Sequence, residues 1–171
     1  AKNMYGLDAR YAALVHDIGK GLTPRDKMPS HHGHDVNGEP LVREFSNKLT
    51  VPAHMRDLAA KATRYHMYGH KLQTITPKTY VKMFDDMNAL NNPRMVEVLF
   101  LVGVADERGR LGSEKNSVDH LYFLRNAFEA YKSVKFADVF PDGETRGHVV
   151  KEGMRLARVE AVAEAKHSFF R

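Results

Sequence analysis

The segment Val96-Glu97-Val98-Leu99-Phe100-Leu101-Val102-Gly103-Val104-Ala105 is apolar on nearly every side, and it closes on a carboxylate, Asp106. A stretch of this kind is stable only when buried. It could form an interior strand, but its length and its entry through Asn92-Pro93 favour a central helix. Asparagine can cap a helix, and proline suits the first helical position. Asp106 should be largely buried, and a buried charge must be paired or bound to metal. The plain pairing is an ion pair with Arg108 or Arg110.

The rest of the chain carries helical periodicity as well. Leu7, Tyr11, Leu14, Val15 and Ile18 share one helical face, ended by Gly19 and Gly21. Residues 23–30 read as a Pro-bearing loop. A second helix passes through Leu41, Val42 and Phe45, entered from residues 31–38. Pro52 restarts the chain, and Val51, Met55, Leu58, Ala62 and His66 form a third stripe. Thr76-Pro77 opens a helix carrying Val81, Phe84 and Met87, and Ser117 is expected to cap one carrying Val118, Leu121, Leu124 and Phe128. After a turn at Pro141-Asp142-Gly143, the last helix should run from about Glu144 towards Lys166. No repeat or linker interrupts the pattern. The expectation is an all-α fold, a single domain over residues 1–171 built as a helical bundle around a central buried helix.

Composition narrows the chemistry. The chain has no cysteine, so thiol nucleophiles, disulfides and zinc ribbons are excluded, and any transition-metal site must be built from His and carboxylate. That composition suits a cytoplasmic protein. No apolar stretch approaches the roughly 18 residues that span a bilayer, so no membrane association is expected. The formal charge of +5 permits a polyanionic partner without demanding one. The start at Ala1 leads to the expectation that the chain is a fragment of something longer.

Four constellations can carry chemistry. His16-Asp17-Ile18-Gly19-Lys20 places an imidazole and a carboxylate where both can meet one cation, with Lys20 available to hold a phosphate oxygen. A His-Asp dipeptide can equally be a histidine hydrogen-bonded at the surface. In His31-His32-Gly33-His34-Asp35, two of three histidines could reach a metal, or the run could be a solvated loop. His66 and His70 stand four apart and should project from one helix face, with His66 turned inward by the apolar stripe it shares. Asp106 is the fourth. Gathered in one interior, these groups would be many buried acceptors facing each other. A divalent cation, or two, is the partner that stabilises such an arrangement, and it supplies what phosphate-ester hydrolysis needs.

The chain resembles the HD superfamily of metal-dependent phosphohydrolases, in which a distant His, a His-Asp pair and a later Asp act together on helices of one bundle. His16, Asp17 and Asp106 match the last three of those positions. A closer resemblance is to the C-terminal HD domain of the bacterial CCA-adding tRNA nucleotidyltransferases, also called multifunctional CCA proteins. It rests on Ala12-Ala13-Leu14-Val15-His16-Asp17-Ile18-Gly19-Lys20-Gly21, His31-His32-Gly33-His34, Thr76-Pro77-Lys78-Thr79 and Ala105-Asp106-Glu107-Arg108-Gly109-Arg110. The resemblance implies 2′,3′-cyclic phosphodiesterase, 2′-nucleotidase and phosphatase activity supported by nickel or another divalent metal, in a protein whose magnesium-dependent head adds C, C and A to tRNA. Two departures stand out. No histidine lies between Ala1 and Val15, where the family's first ligand is expected, and the nucleotidyltransferase head is absent. CCA addition therefore cannot be performed by these residues.

On this reading His16, Asp17 and Asp106 are metal ligands, and Asp17 and Lys20 serve catalysis through metal-activated water. His32, His34, His66 and His70 supply a second metal or hold the substrate. The substrate would be a tRNA or other RNA end bearing a 2′-phosphate or 2′,3′-cyclic phosphate, and the protein a monomer or homodimer. A rival reading is a non-catalytic tRNA-binding module, since Lys151, Arg155 and Arg158 stand at i, i+4, i+7 on the last helix and could track phosphates. Glu152, Glu160 and Glu164 would balance that stripe in a merely solvated face. A third is an HD hydrolase of free nucleotides.

Overall fold

In a computed structural model, residues 6–171 are described, and among them every regular element is helical. The α-helices are α1 (Leu7–Val15), α2 (His34–Lys48), α3 (Ala53–Tyr65), α4 (Pro77–Asp86), α5 (Arg94–Arg108), α6 (Tyr122–Ser133), α7 (Phe136–Val139) and α8 (Gly147–Phe169). Tight 3₁₀ turns at Ile18–Leu22, Arg25–Lys27, His66–Lys71 and Asp119–Leu121 join them. No helix among the described residues is long and apolar enough to cross a membrane.

The central helix is α5, and it is apolar all round because it serves two cores. Val98 and Val102 pack with Ala9, Ala12, Val15, Val42, Leu58 and Ala62 from α1, α2 and α3. Val96, Leu99, Phe100 and Val104 face a second cluster in which Tyr80, Phe84, Phe123, Leu124, Phe128 and Tyr131 of α4 and α6 are buried, closed by Val162 of α8. Polar contacts fix the N-terminal end of the same helix. Arg94 donates two bonds of 2.7 Å to Asp8 at the start of α1. Arg125 of α6 donates to Glu97 and lies 3.8 Å over the Phe100 ring.

Among the described residues a side-chain cap marks one helix start, that of α4. The Thr76 hydroxyl accepts from the Thr79 amide with Pro77 at the first helical position, as the sequence predicts. At α5, Pro93 itself is the capping residue, and Asn92 contributes its carbonyl to Met95 rather than its side chain. Ser117, expected to cap a helix, accepts from the Asp119 amide just before a 3₁₀ turn whose capping residue is Val118, and α6 starts only at Tyr122. Glu144 lies before α8, where its carboxylate collects the Thr145 and Arg146 amides and the Arg146 guanidinium.

The first helix ends earlier than its periodicity suggests. It stops at Val15, and the chain tightens into the Ile18–Leu22 turn, which lies flat against the start of α2. A Cβ on Gly19 would fall 2.0 Å from the His34 carbonyl oxygen and 2.9 Å from the Gly38 amide nitrogen. A Cβ on Gly38 would in turn meet Thr63 at 2.7 Å. Two glycines therefore let the backbone after Asp17 touch α2. Gly33, at φ +77°, makes the left-handed turn that starts α2 with His34 pointing inward. Since the atom in the way at Gly19 is backbone, Gly19→Ala should cost at least the ~1–3 kcal/mol typical of overpacking. Urea denaturation of the variant would show this as a lowered midpoint.

Candidate metal centre

Several helix ends meet at one point of the bundle. His16 and His66 are the C-terminal caps of α1 and α3, Asp106 sits in the last turn of α5, and His34 opens α2. The C-terminal ends of α1, α3 and α5 bring partial negative charge that favours a cation here, offset in part by the positive N-terminal end of α2.

Three imidazoles here are oriented in the same way. His16 Nδ1 bonds the Ala13 carbonyl, His34 Nδ1 the His31 carbonyl and His66 Nδ1 the Thr63 carbonyl, each at 2.7 Å and each three residues back. A carbonyl only accepts, so each Nδ1 is the protonated nitrogen and each Nε2 presents a lone pair. Those Nε2 atoms converge on Asp17: His34 at 3.1 Å and His66 at 3.5 Å from Oδ1, and His16 at 3.4 Å from Oδ2. His34 Nε2 and His66 Nε2 are themselves 3.1 Å apart. Acceptors thus face acceptors. His16 Nε2 and Asp17 Oδ1 are buried with no hydrogen-bond partner. Ligand atoms of His16, Asp17 and His66 lie within 4.8 Å of one another, a spacing that fits one divalent cation. The donors, imidazole nitrogen and carboxylate oxygen, are those that first-row divalent metals accept.

Asp106 joins the cluster from the far side. Its Oδ1 is 3.8 Å from His16 Nε2 and its Oδ2 receives His70 Nε2 at 2.7 Å, with the carboxylate only 14% exposed. Arg110 reaches Oδ1 at 3.5 Å, so the expected ion pair exists beside the histidine contacts. The Lys20 ammonium donates to Asp17 Oδ2 at 2.5 Å and is 40% exposed, within reach of both the carboxylate and solvent.

Charge follows this geometry. Burial pushes the Asp17 carboxyl up, but the contacts from His66, Lys20 and His16 outweigh it and hold the group well below the carboxylate range. The nearby His16 imidazole and the hydrogen bond from His70 do the same for Asp106 against its burial. The bond to Asp106 raises His70 despite its burial. Burial lowers His16, yet Asp106, the Ala13 carbonyl and Asp17 turn the net shift upward.

Some sequence expectations need correction. His66 and His70 do not share an α-helical face, because α3 ends at Tyr65 and the two lie on the 3₁₀ turn His66–Lys71. With three residues per turn, positions four apart point in different directions, one to Asp17 and the other to Asp106. His32 does not reach the cluster. It is exposed on the turn before Gly33 and lines an adjoining cavity of about 630 Å³, while His31 bonds Thr23. The stripe on α8 is not a row of free cations: Lys151 is exposed, Arg155 is held by Glu152 at 2.5 Å, and Arg158 turns in over the Tyr131 ring towards Asp85. Sequence reasoning missed Gly38 and the three orienting carbonyls. The free carbonyls at the ends of α1 and α3 were the available signal, since a capping histidine there has a ready acceptor behind it.

Residues 4–108 match the family model of the HD domain, a span that holds every member of the cluster. No solved structure matches the chain.

The signs of the shifts fix how pH acts. Protonated His16 and His70 stabilise the fold below their ordinary value of 6.5, and that contribution is lost as pH rises through their raised values. The ionised Asp17 and Asp106 contribute above 3.8, and this is lost as pH falls through their depressed values. A divalent cation must displace the proton of His16, so its affinity should climb as pH is raised above 6.5, with proton release on binding. Manganese titration calorimetry in buffers of different ionisation heat measures both.

Proposed function

The chain belongs to the HD domain family, a family of metal-dependent hydrolases, and we propose that it hydrolyses phosphate esters at the His16–Asp17–Asp106 cluster. The observation that carries this reading is the pair of buried, unpartnered acceptors, His16 Nε2 and Asp17 Oδ1, aimed at the same point. His16, Asp17 and Asp106 would hold one divalent cation, with His34 and His66 completing the set around Asp17 or holding a second. Such a cation, when bound, lowers the pKa of water and neutralises phosphoryl oxygens.

The protein's own groups supply the rest. The Ala13, His31 and Thr63 carbonyls keep three imidazoles in one tautomer and one orientation. Lys20 can leave Asp17 Oδ2 for a phosphate oxygen, since its ammonium is part exposed on the flexible stem after Gly19. His70 Nε2 holds a proton against Asp106 Oδ2 and, 34% exposed, is placed to deliver it to a departing alkoxide.

The finer reading is that the substrates are 2′,3′-cyclic phosphates, 2′-nucleotides and phosphomonoesters, with nickel or another transition metal, in the manner of the CCA-adding enzymes. The four stretches that resemble their HD domain support it, as does the absence of cysteine from the chain, which leaves no thiol nucleophile. The test is hydrolysis of 2′,3′-cyclic AMP and of 2′-, 3′- and 5′-AMP, each with nickel, cobalt, manganese and magnesium. The cyclic and 2′-phosphates should be preferred. Asp17→Asn, folded by circular dichroism, should lose more than the 10–100-fold typical of an outer-shell change. A variant that keeps the parental rate would remove Asp17 from the site.

A further inference from the structure

Three imidazoles of the cluster take their aim from a carbonyl, and the three carbonyls are not held alike. Ala13 and Thr63 lie inside α1 and α3, whose backbone bonds fix them in place. His31 lies outside any helix, three residues before α2 opens at His34. Its carbonyl accepts both the His34 amide at 3.1 Å and His34 Nδ1 at 2.7 Å. Both bonds come from His34 itself. They fix the ring relative to its own turn, and leave open what fixes that turn relative to Asp17.

The segment leading to this turn has little burial to hold it. Residues 24–30 are all exposed, and their backbone bonds reach only three residues along the chain. One side-chain hydrogen bond joins the two ends: Thr23 Oγ1 and His31 Nδ1 lie 2.8 Å apart, in residues that are both part-buried. Thr23 is tied in turn to the segment that carries Asp17. Its amide donates to the Lys20 carbonyl at 3.1 Å, and the Lys20 amide donates to the Asp17 carbonyl at 2.9 Å. The path from Asp17 to Thr23, across to His31 and on to His34 closes where His34 Nε2 lies 3.1 Å from Asp17 Oδ1. Gly19 seats the backbone where α2 begins, and the Thr23–His31 bond secures the turn before it.

We infer that Thr23 and His31 are positioning residues, whose side-chain bond closes the 23–31 loop and so aims His34 Nε2 at Asp17. This rests on the proposed metal cluster only for the use to which His34 is put. Which nitrogen of an imidazole carries the proton is set by the bond that the other nitrogen makes, so a turn that drifts also frees the tautomer. His16 and His66 need no such latch, because helix bonds already hold their acceptors. The cavity of about 630 Å³ beside His34 depends on the same bond, since Thr23, Pro24, Lys27 and Ser30 of the closed loop line it.

The test reads the histidine tautomers by long-range proton–nitrogen NMR of the metal-free 171-residue chain, at a pH where the rings are neutral. In the parent chain His34 should carry its proton on Nδ1. Thr23→Val keeps the shape of the side chain and removes the hydroxyl. It should bring in the Nε2–H form at His34 while His16 and His66 keep their Nδ1 protons. Manganese affinity, read by calorimetry, should fall about tenfold, the lower end of the 10–100-fold typical of an outer-shell change. Thr23→Ser should keep both parental readings. Tyr80→Phe, which removes a buried bond to the Leu72 carbonyl, should lower the urea midpoint and leave both readings unchanged. A parental His34 tautomer or an undiminished manganese affinity in Thr23→Val would overturn the inference, as would the same changes in Thr23→Ser or Tyr80→Phe. A parent chain that binds no manganese would count against the proposed function alone, and the tautomer would then decide the inference by itself.

Discussion

Burial of α5 on two sides at once is the constraint from which the rest of the structure follows. A helix with valine, leucine or phenylalanine on every face cannot rest on a surface. Here α1 and α3 cover Val98 and Val102 and α6 covers Leu99, Phe100 and Val104, in two cores that α2 on one side and α4 and α8 on the other complete. Burying side chains of that size stabilises by roughly 1.5–3 kcal/mol each. The same packing determines where the last turn of α5 must lie. Asp106 is carried to the corner where α1 and α3 also end, and the Arg94–Asp8 pair holds the opposite ends of α1 and α5 together. The position of the functional corner is thus a result of core packing.

Within that corner, electrostatics and hydrogen bonding act in opposite senses. The imidazoles are held by their Nδ1 atoms with good geometry, which leaves their Nε2 atoms no freedom to turn away from Asp17. Lone pairs gathered so closely repel one another, and protons on His16 and His70 or the ammonium of Lys20 relieve this only in part. A doubly charged ion at the same place would meet every acceptor at once. Strain of this kind, concentrated where helix C-termini add their own negative ends, distinguishes a binding site from an ordinary polar patch.

Much of this was legible in the sequence, and the parts that were not share a cause. Asp106 and His16-Asp17 could be found because polar groups that terminate apolar helical stretches have few places to go. His66 could be found as an inward residue because Leu58 and Ala62 lie on its stripe. The divergence of His66 and His70 was hidden, since it depends on the helix tightening after Tyr65, and 3₁₀ and α spacing look alike over five residues. Likewise Gly19 reads as a helix terminator from sequence alone. Its larger role, the contact with Gly38 and the His34 carbonyl, exists only between elements distant in the chain. On α8 the alternative to a phosphate stripe holds for the two arginines, since Arg155 pairs with Glu152 and Arg158 turns over the Tyr131 ring.

The central claim is that the Nε2 atoms of His16, His34 and His66 and the carboxylates of Asp17 and Asp106 together hold a divalent cation. Anomalous diffraction from crystals grown with zinc tests it most directly. The account predicts an anomalous peak at about 2.0–2.2 Å from His16 Nε2 and an Asp17 carboxylate oxygen, with their Nδ1 bonds to backbone carbonyls intact. Zinc seated only on exposed carboxylates, with the His16 and Asp17 acceptors free of it, would contradict the account.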